Sequence, residues 1–122
     1  MPEPHDARET RSPAEREAEL FDRLPAVLEA AMRAPAYAER LRGIDPRTVT
    51  SREALARLPV LRKSELPALQ KADPPFAGFV PAPPSAFGRL FTSPGPIFEP
   101  EGRGPDPWGA ARALHALSLI HI

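Results

Sequence analysis

The sequence predicts a mainly α-helical chain that passes into a proline-rich coil with one or two short strands. Three observations predict it. Capping sequences at Ser12 and Thr50 open segments whose apolar residues recur at helical spacing. Of the 18 prolines, 11 lie between Pro67 and Pro107, where fixed φ and missing N–H groups exclude long helices and central strands. Within that half, residues 87–92 (FGRLFT) alternate weakly, as a strand does.

Residues 1–11 are charged and almost devoid of apolar side chains, so a disordered tail is expected there. Ser12-Pro13-Ala14-Glu15 reads as a capping box with proline at the first helical position, where its missing N–H is no loss. Leu20, Phe21, Leu24, Val27, Leu28 and Ala31 then form one apolar face, with Glu15, Arg16, Glu19, Asp22 and Arg23 around the other side. Pro25 is expected to split or kink this helix near Leu24. Pro35 opens a short helix to Leu41, with Tyr37 and Leu41 on one side and Gly43 as its stop. Asp45-Pro46 marks a turn.

Thr50-Ser51-Arg52-Glu53 reads as a second capping box, starting a helix of about two turns through Leu58. Ser64 is expected to cap a last helical turn carrying Leu66 and Leu69. Beyond Ala72-Asp73-Pro74-Pro75 the chain becomes coil, with Phe76, Phe79 and Val80 as candidate anchors. Pro107 and Trp108 open an alanine-rich helical segment, Gly109–Ala116. The organisation read from this pass is a disordered tail over 1–11, a helical region over 12–72, and over 73–116 a proline-rich coil ending in the start of a helix.

Residues 117–122 (LSLIHI) form a separate segment. They back-translate, with permitted codons, to CTG TCT CTT ATA CAC ATC, the mosaic-end adapter used in transposase-based library preparation. The expectation is that the reading frame ends inside a sequencing adapter, so that the chain is a truncated N-terminal piece.

Composition narrows the partners. Sixteen basic residues balance 16 acidic ones with no long run of either sign, so neither nucleic acid nor an anionic membrane is expected as a partner. No cysteine is present, which excludes disulfides, thiolate metal sites and a cysteine nucleophile. The charged start has no apolar signal region, and no window approaches the roughly 18 apolar residues of a membrane span, so a soluble, cytoplasmic protein is expected. The histidines His5, His115 and His121 lack ligand spacing, and Glu99 and Glu101 read as solvated loop carboxylates, so no metal site is expected. Phe76, Phe79, Phe87, Phe91 and Phe98 are expected to pin the coil onto a core. Thr92 and Ser93, set against the tight turn Pro94-Gly95-Pro96, can present hydroxyls and a close-approaching backbone to phosphate oxygens, or can form a plain surface turn. Both readings stay open on the residues alone.

The order of features resembles the N-terminal part of phenylacetate-CoA ligase-like enzymes of the adenylate-forming (AMP-binding) superfamily. The opening helix precedes APAYAERLRGID (Ala34 to Asp45), which is similar to the family's N-x-P-F/Y-Y-x-x-x-L stretch. VTSREALARLPVLRKSEL (Val49 to Leu66) resembles its I-x-S-L-E-D-L-x-x-L-P-x-x-x-K-x-x-L. PPFAGFVPAPP (Pro74 to Pro84) resembles the P-F-G-x-F-x-x-P approach to the nucleotide loop. Arg89 to Pro96 then takes the place of the phosphate-binding loop, usually S-S-G-T-T-G-K-P; here Thr92, Ser93 and Gly95 keep part of its hydroxyl and glycine content, Pro94 and Pro96 replace flexible donor positions, and the loop's Thr-Thr-Gly and its lysine are absent.

The resemblance implies the start of the α/β N-terminal domain of such an enzyme. It further implies ATP, Mg²⁺ and CoA as cofactors of the full-length parent, and a small carboxylic acid as substrate, converted to an acyl-adenylate and then an acyl-CoA. Thr92, Ser93 and Gly95 are the candidate ATP-phosphate contacts. The chain by itself is expected to be inactive, to hold none of these cofactors well, and, because Leu20, Leu24, Val27 and Leu28 have little to cover them, to be partly molten. The reading from a different class is a small helical protein-interaction module with a disordered proline-rich tail, in which Pro81 to Pro84 offers a minimal P-x-x-P pattern.

Overall fold

The computed structural model describes residues 3–117. His121 and all but the first residue of the 117–122 segment lie outside the described residues. The fold is mostly helical with two short strands: α1 (Pro13–Ala31), α2 (Pro35–Arg40), α3 (Arg52–Leu55), α4 (Leu66–Ala72), β1 (Arg89–Ser93), β2 (Ile97–Glu101) and α5 (Ala111–Ala116). Three single 3₁₀ turns, Pro46–Thr48, Lys63–Glu65 and Pro84–Ala86, join them.

Helix α1 starts as its cap dictates. The Ser12 hydroxyl accepts from the Glu15 N–H at 3.2 Å, and the Glu15 carboxylate accepts from the Ser12 N–H at 2.8 Å, satisfying two of the donors left over at a helix start. The helix is not split at Pro25. It runs as one element through that residue, because Leu24 before it and Leu28 and Met32 after it pack on one apolar cluster and outweigh one missing backbone bond. Leu28 from α1 meets Leu41 and Val49, and Leu24, Met32, Ile44, Ala54 and Leu58 close around them.

Helix α3 differs from the expected element. Its cap is Ser51, whose hydroxyl accepts from the Ala54 N–H, so residue Thr50 is outside and Glu53 is one position early for a reciprocal box. It also closes after one turn, at Leu55, and 56–58 continue as turn. Ser64 sits inside a 3₁₀ turn rather than capping; the Glu65 carboxylate instead accepts from the Arg62 N–H ahead of α4.

The coil is stitched to the helices. The Ala36 N–H donates to the Gly78 carbonyl at 3.0 Å, and Gly78 holds φ +68°, a conformation suited to glycine, where a Cβ would also stand 3.5 Å from the Ala36 nitrogen. Phe76 is buried and packs edge-on to Phe87, and Tyr37 of α2 does the same with Phe79. Phe91 and Phe98, by contrast, are exposed, so the aromatic residues anchor the coil only in part.

The strands β1 and β2 form an antiparallel hairpin, with Ser93 opposite Ile97, Thr92 opposite Phe98 and Leu90 opposite Pro100. Ile97 is buried against the helical part. The segment before α1 also has fixed contacts: Arg112 of α5 pairs with Asp6 and lies 3.9 Å from Glu9, and Arg11 pairs with Glu19. No helix among the described residues is long and apolar enough to cross a membrane.

Candidate functional site

Thr92, Ser93 and Gly95 converge on the tip of the hairpin. Three residues, Pro94, Gly95 and Pro96, connect Ser93 to Ile97. Both prolines lack an N–H, so Gly95 carries the one backbone donor of this tip. Its φ of +136° is open to glycine and closed to side-chain-bearing residues. The three candidates are not equivalent. Ser93 turns its hydroxyl toward the Ile97 carbonyl at 3.5 Å, across the mouth of the turn. Thr92 is exposed and its hydroxyl has no partner among the described residues. The tip therefore offers two free donors, the Thr92 hydroxyl and the Gly95 N–H. That set fits a contact to one phosphate group and falls short of a loop that wraps several.

Helix α4 sets where the hairpin stands. Gln70, 6% exposed, donates from its side-chain amide to the Phe98 carbonyl at 3.0 Å and accepts from the Phe98 N–H at 2.8 Å. Its isolated position between Leu69 and Lys71 carries no sequence signal of this role. A cleft of about 460 Å³ lies beside the tip, bordered by Pro67, Lys71, Pro74, Pro96 and Phe98. A second, about 290 Å³, opens on the other side of Gln70 over Phe76 and Ile97, with Tyr37, Phe79 and Trp108 at its rim.

The carboxylates near the hairpin are engaged. Glu101 is not a solvated loop residue: it lies on β2, accepts from the Trp108 indole N–H at 2.6 Å and stands 3.5 Å from Arg89. Glu99 faces Lys63 at 3.8 Å. Among the described residues no cluster of three or more His, Asp or Glu side chains could hold a metal ion. His5 and His115 meet edge-on as rings instead. At the approach to α4, Glu65 pairs with Arg40 of α2. That guanidinium first, and then the Arg62 N–H, holds its carboxyl below the usual glutamate range.

No protein-family model and no curated protein matches the chain. Solved structures do. Over 84% of its length the chain is similar to crystal structures of 2-hydroxyisobutyryl-CoA ligase. One, in the postadenylation state in complex with R3-HIB-AMP, has 31% identity and a TM-score of 0.71. Another, in complex with 2-HIB-AMP and CoA in the thioesterification state, has 32% identity and a TM-score of 0.68. The chain is homologous to part of an adenylate-forming acyl-CoA ligase. It spans about a quarter, 24%, of the length of the ligase it matches.

Proposed function

We propose that this chain is the N-terminal part of an ATP-dependent acid:CoA ligase of the phenylacetate-CoA ligase-like kind, and that by itself it is inactive. The observation that carries the reading is the joint likeness in sequence and fold, over 84% of the chain, to a ligase captured with an acyl-adenylate and with CoA. Thr92 and Gly95 donate to oxygens of the ATP phosphates, while Ser93 holds the turn closed behind them. Bound ATP supplies the phosphoryl centre on which a carboxylic acid is activated, and CoA the thiol that accepts the acyl group. Among the described residues no cluster of His, Asp or Glu could hold a metal ion, and Mg²⁺ in this reading comes with the phosphates.

The rival reading, an interaction module with a disordered proline-rich tail, fits the exposed face of α1. It fits the second half less well, since Phe76 and Ile97 are buried and Phe98 is held by α4. The experiment is an assay of the complete protein with ATP, Mg²⁺, CoA and a panel of small carboxylic acids. AMP and an acyl-CoA should form with at least one acid, and the 122-residue chain alone should form neither. Release of ADP in place of AMP, or acyl transfer without ATP, would overturn the reading.

A further inference from the structure

Gln70 is the one buried polar side chain among the described residues, and both ends of its amide are used on a single residue. A primary amide presents one donor and one acceptor in a plane, as a peptide group does, so here a helix side chain imitates a rung of β-sheet against the outer edge of β2. The residue it grips, Phe98, lies directly opposite Thr92 in the hairpin register. Because the N–H and carbonyl of Phe98 point to Gln70, they point away from β1. Nothing else among the described contacts ties the outer edge of β2 to α4 through hydrogen bonds.

We propose that Gln70 is a positioning residue that sets where the hairpin tip, and with it Thr92 and Gly95, stands relative to α4. The part of this that concerns phosphate binding rests on the function proposed above; the part that concerns the tip's position does not. Gln70→Leu keeps the apolar volume and removes both bonds. Gln70→Glu keeps the shape and makes the donor depend on pH: the carboxylate accepts from the Phe98 N–H but opposes the Phe98 carbonyl, whereas the neutral carboxyl restores both bonds. A merely space-filling role would give no such switch.

The test is amide hydrogen exchange in the full chain, read by NMR at Phe98 and at Thr92, Ser93, Gly95 and Ile97, with each variant compared with the wild type at the same pH. Gln70→Leu should speed exchange at Phe98 by roughly tenfold, the equivalent of about 1.4 kcal/mol, while amides of α1 stay unchanged. Gln70→Glu, which keeps an acceptor for the Phe98 N–H and loses only the donor to the Phe98 carbonyl, should fall between wild type and the leucine variant near neutral pH and return toward wild type on acidification. Unchanged exchange in Gln70→Leu, or a Gln70→Glu variant whose ratio to wild type does not move with pH, would overturn the proposal. A titration of the complete protein with Mg–ATP separates the two ideas. Tip amides that ignore nucleotide in the wild type, alongside the pH switch in Gln70→Glu, defeat the phosphate reading and leave Gln70 as the positioning residue. A nucleotide response at the tip that is present in the wild type and equal in Gln70→Leu defeats the positioning role.

Discussion

Pro94 and Pro96 decide how much chemistry the hairpin tip can perform. Each occupies a position where another residue would bring an N–H, and each fixes φ, so the tip is stiff and poor in donors. Gly95 between them keeps one N–H at a φ of +136°. Replacing Pro94 with glycine in the complete protein adds a donor next to it and frees the backbone to close on an anion. A hydrogen bond to a charged group contributes about 1.5–3 kcal/mol, less the entropy of ordering a freer loop, so ATP affinity should rise by roughly tenfold. Calorimetric titration of ATP into Pro94→Gly and the parent measures it; equal affinities would make the tip a plain turn. Thr92, Ser93 and Gly95 were visible as a group in the sequence, since a hydroxyl pair beside Pro-Gly-Pro is a turn signal with donors attached. What the sequence concealed is that Ser93 spends its hydroxyl on the turn while Thr92 does not.

The elements that support the tip are joined by a few polar contacts, of which Glu65 to Arg40 is one that links α2 to the entry of α4. The carboxyl of Glu65 is held below its ordinary range, chiefly by the Arg40 hydrogen bond. A lowered folded pKa means that the contribution is fully present above the unfolded glutamate value of about 4.3 and is lost as pH falls through the folded one. Glu65→Gln should therefore lower the urea midpoint of the helical circular dichroism signal near neutral pH and flatten its decline on acidification. Parallel pH profiles for the two proteins would show that the pair contributes nothing.

At this scale the sequence was most legible where a local rule acts alone, as in the Ser12 capping box and the proline start and glycine stop of α2. It failed where tertiary geometry intervened. Strand β2 reads as a loop because of Glu99-Pro100-Glu101, yet Pro100 is tolerated for a physical reason. Phe98 turns its N–H away from β1, and Pro100, two residues on, has its missing N–H on that same outer side, so the ladder with β1 loses no bond. Gln70 was illegible for the opposite reason: one glutamine in a short helix looks like any solvated residue until its partner 28 residues away is in place.

Among the described residues few apolar side chains are buried: Leu28, Ala34, Leu41, Val49, Phe76 and Ile97. Leu20, Val27 and Leu55 remain 59%, 56% and 42% exposed and line an apolar groove of about 740 Å³ between α1 and α3. An exposed apolar face of that kind marks a surface built to meet something. In the function proposed above, the helical approach, the Gln70 grip and the proline-stiffened tip form a single scaffold that holds Thr92 and Gly95 at a nucleotide. Hydrogen exchange of the complete protein with and without Mg–ATP tests this most directly. The account predicts slowed exchange at Thr92, Ser93, Gly95 and Ile97 when nucleotide is present. A protease-resistant core confined to residues 12–70, with no change at the hairpin on adding nucleotide, would contradict it.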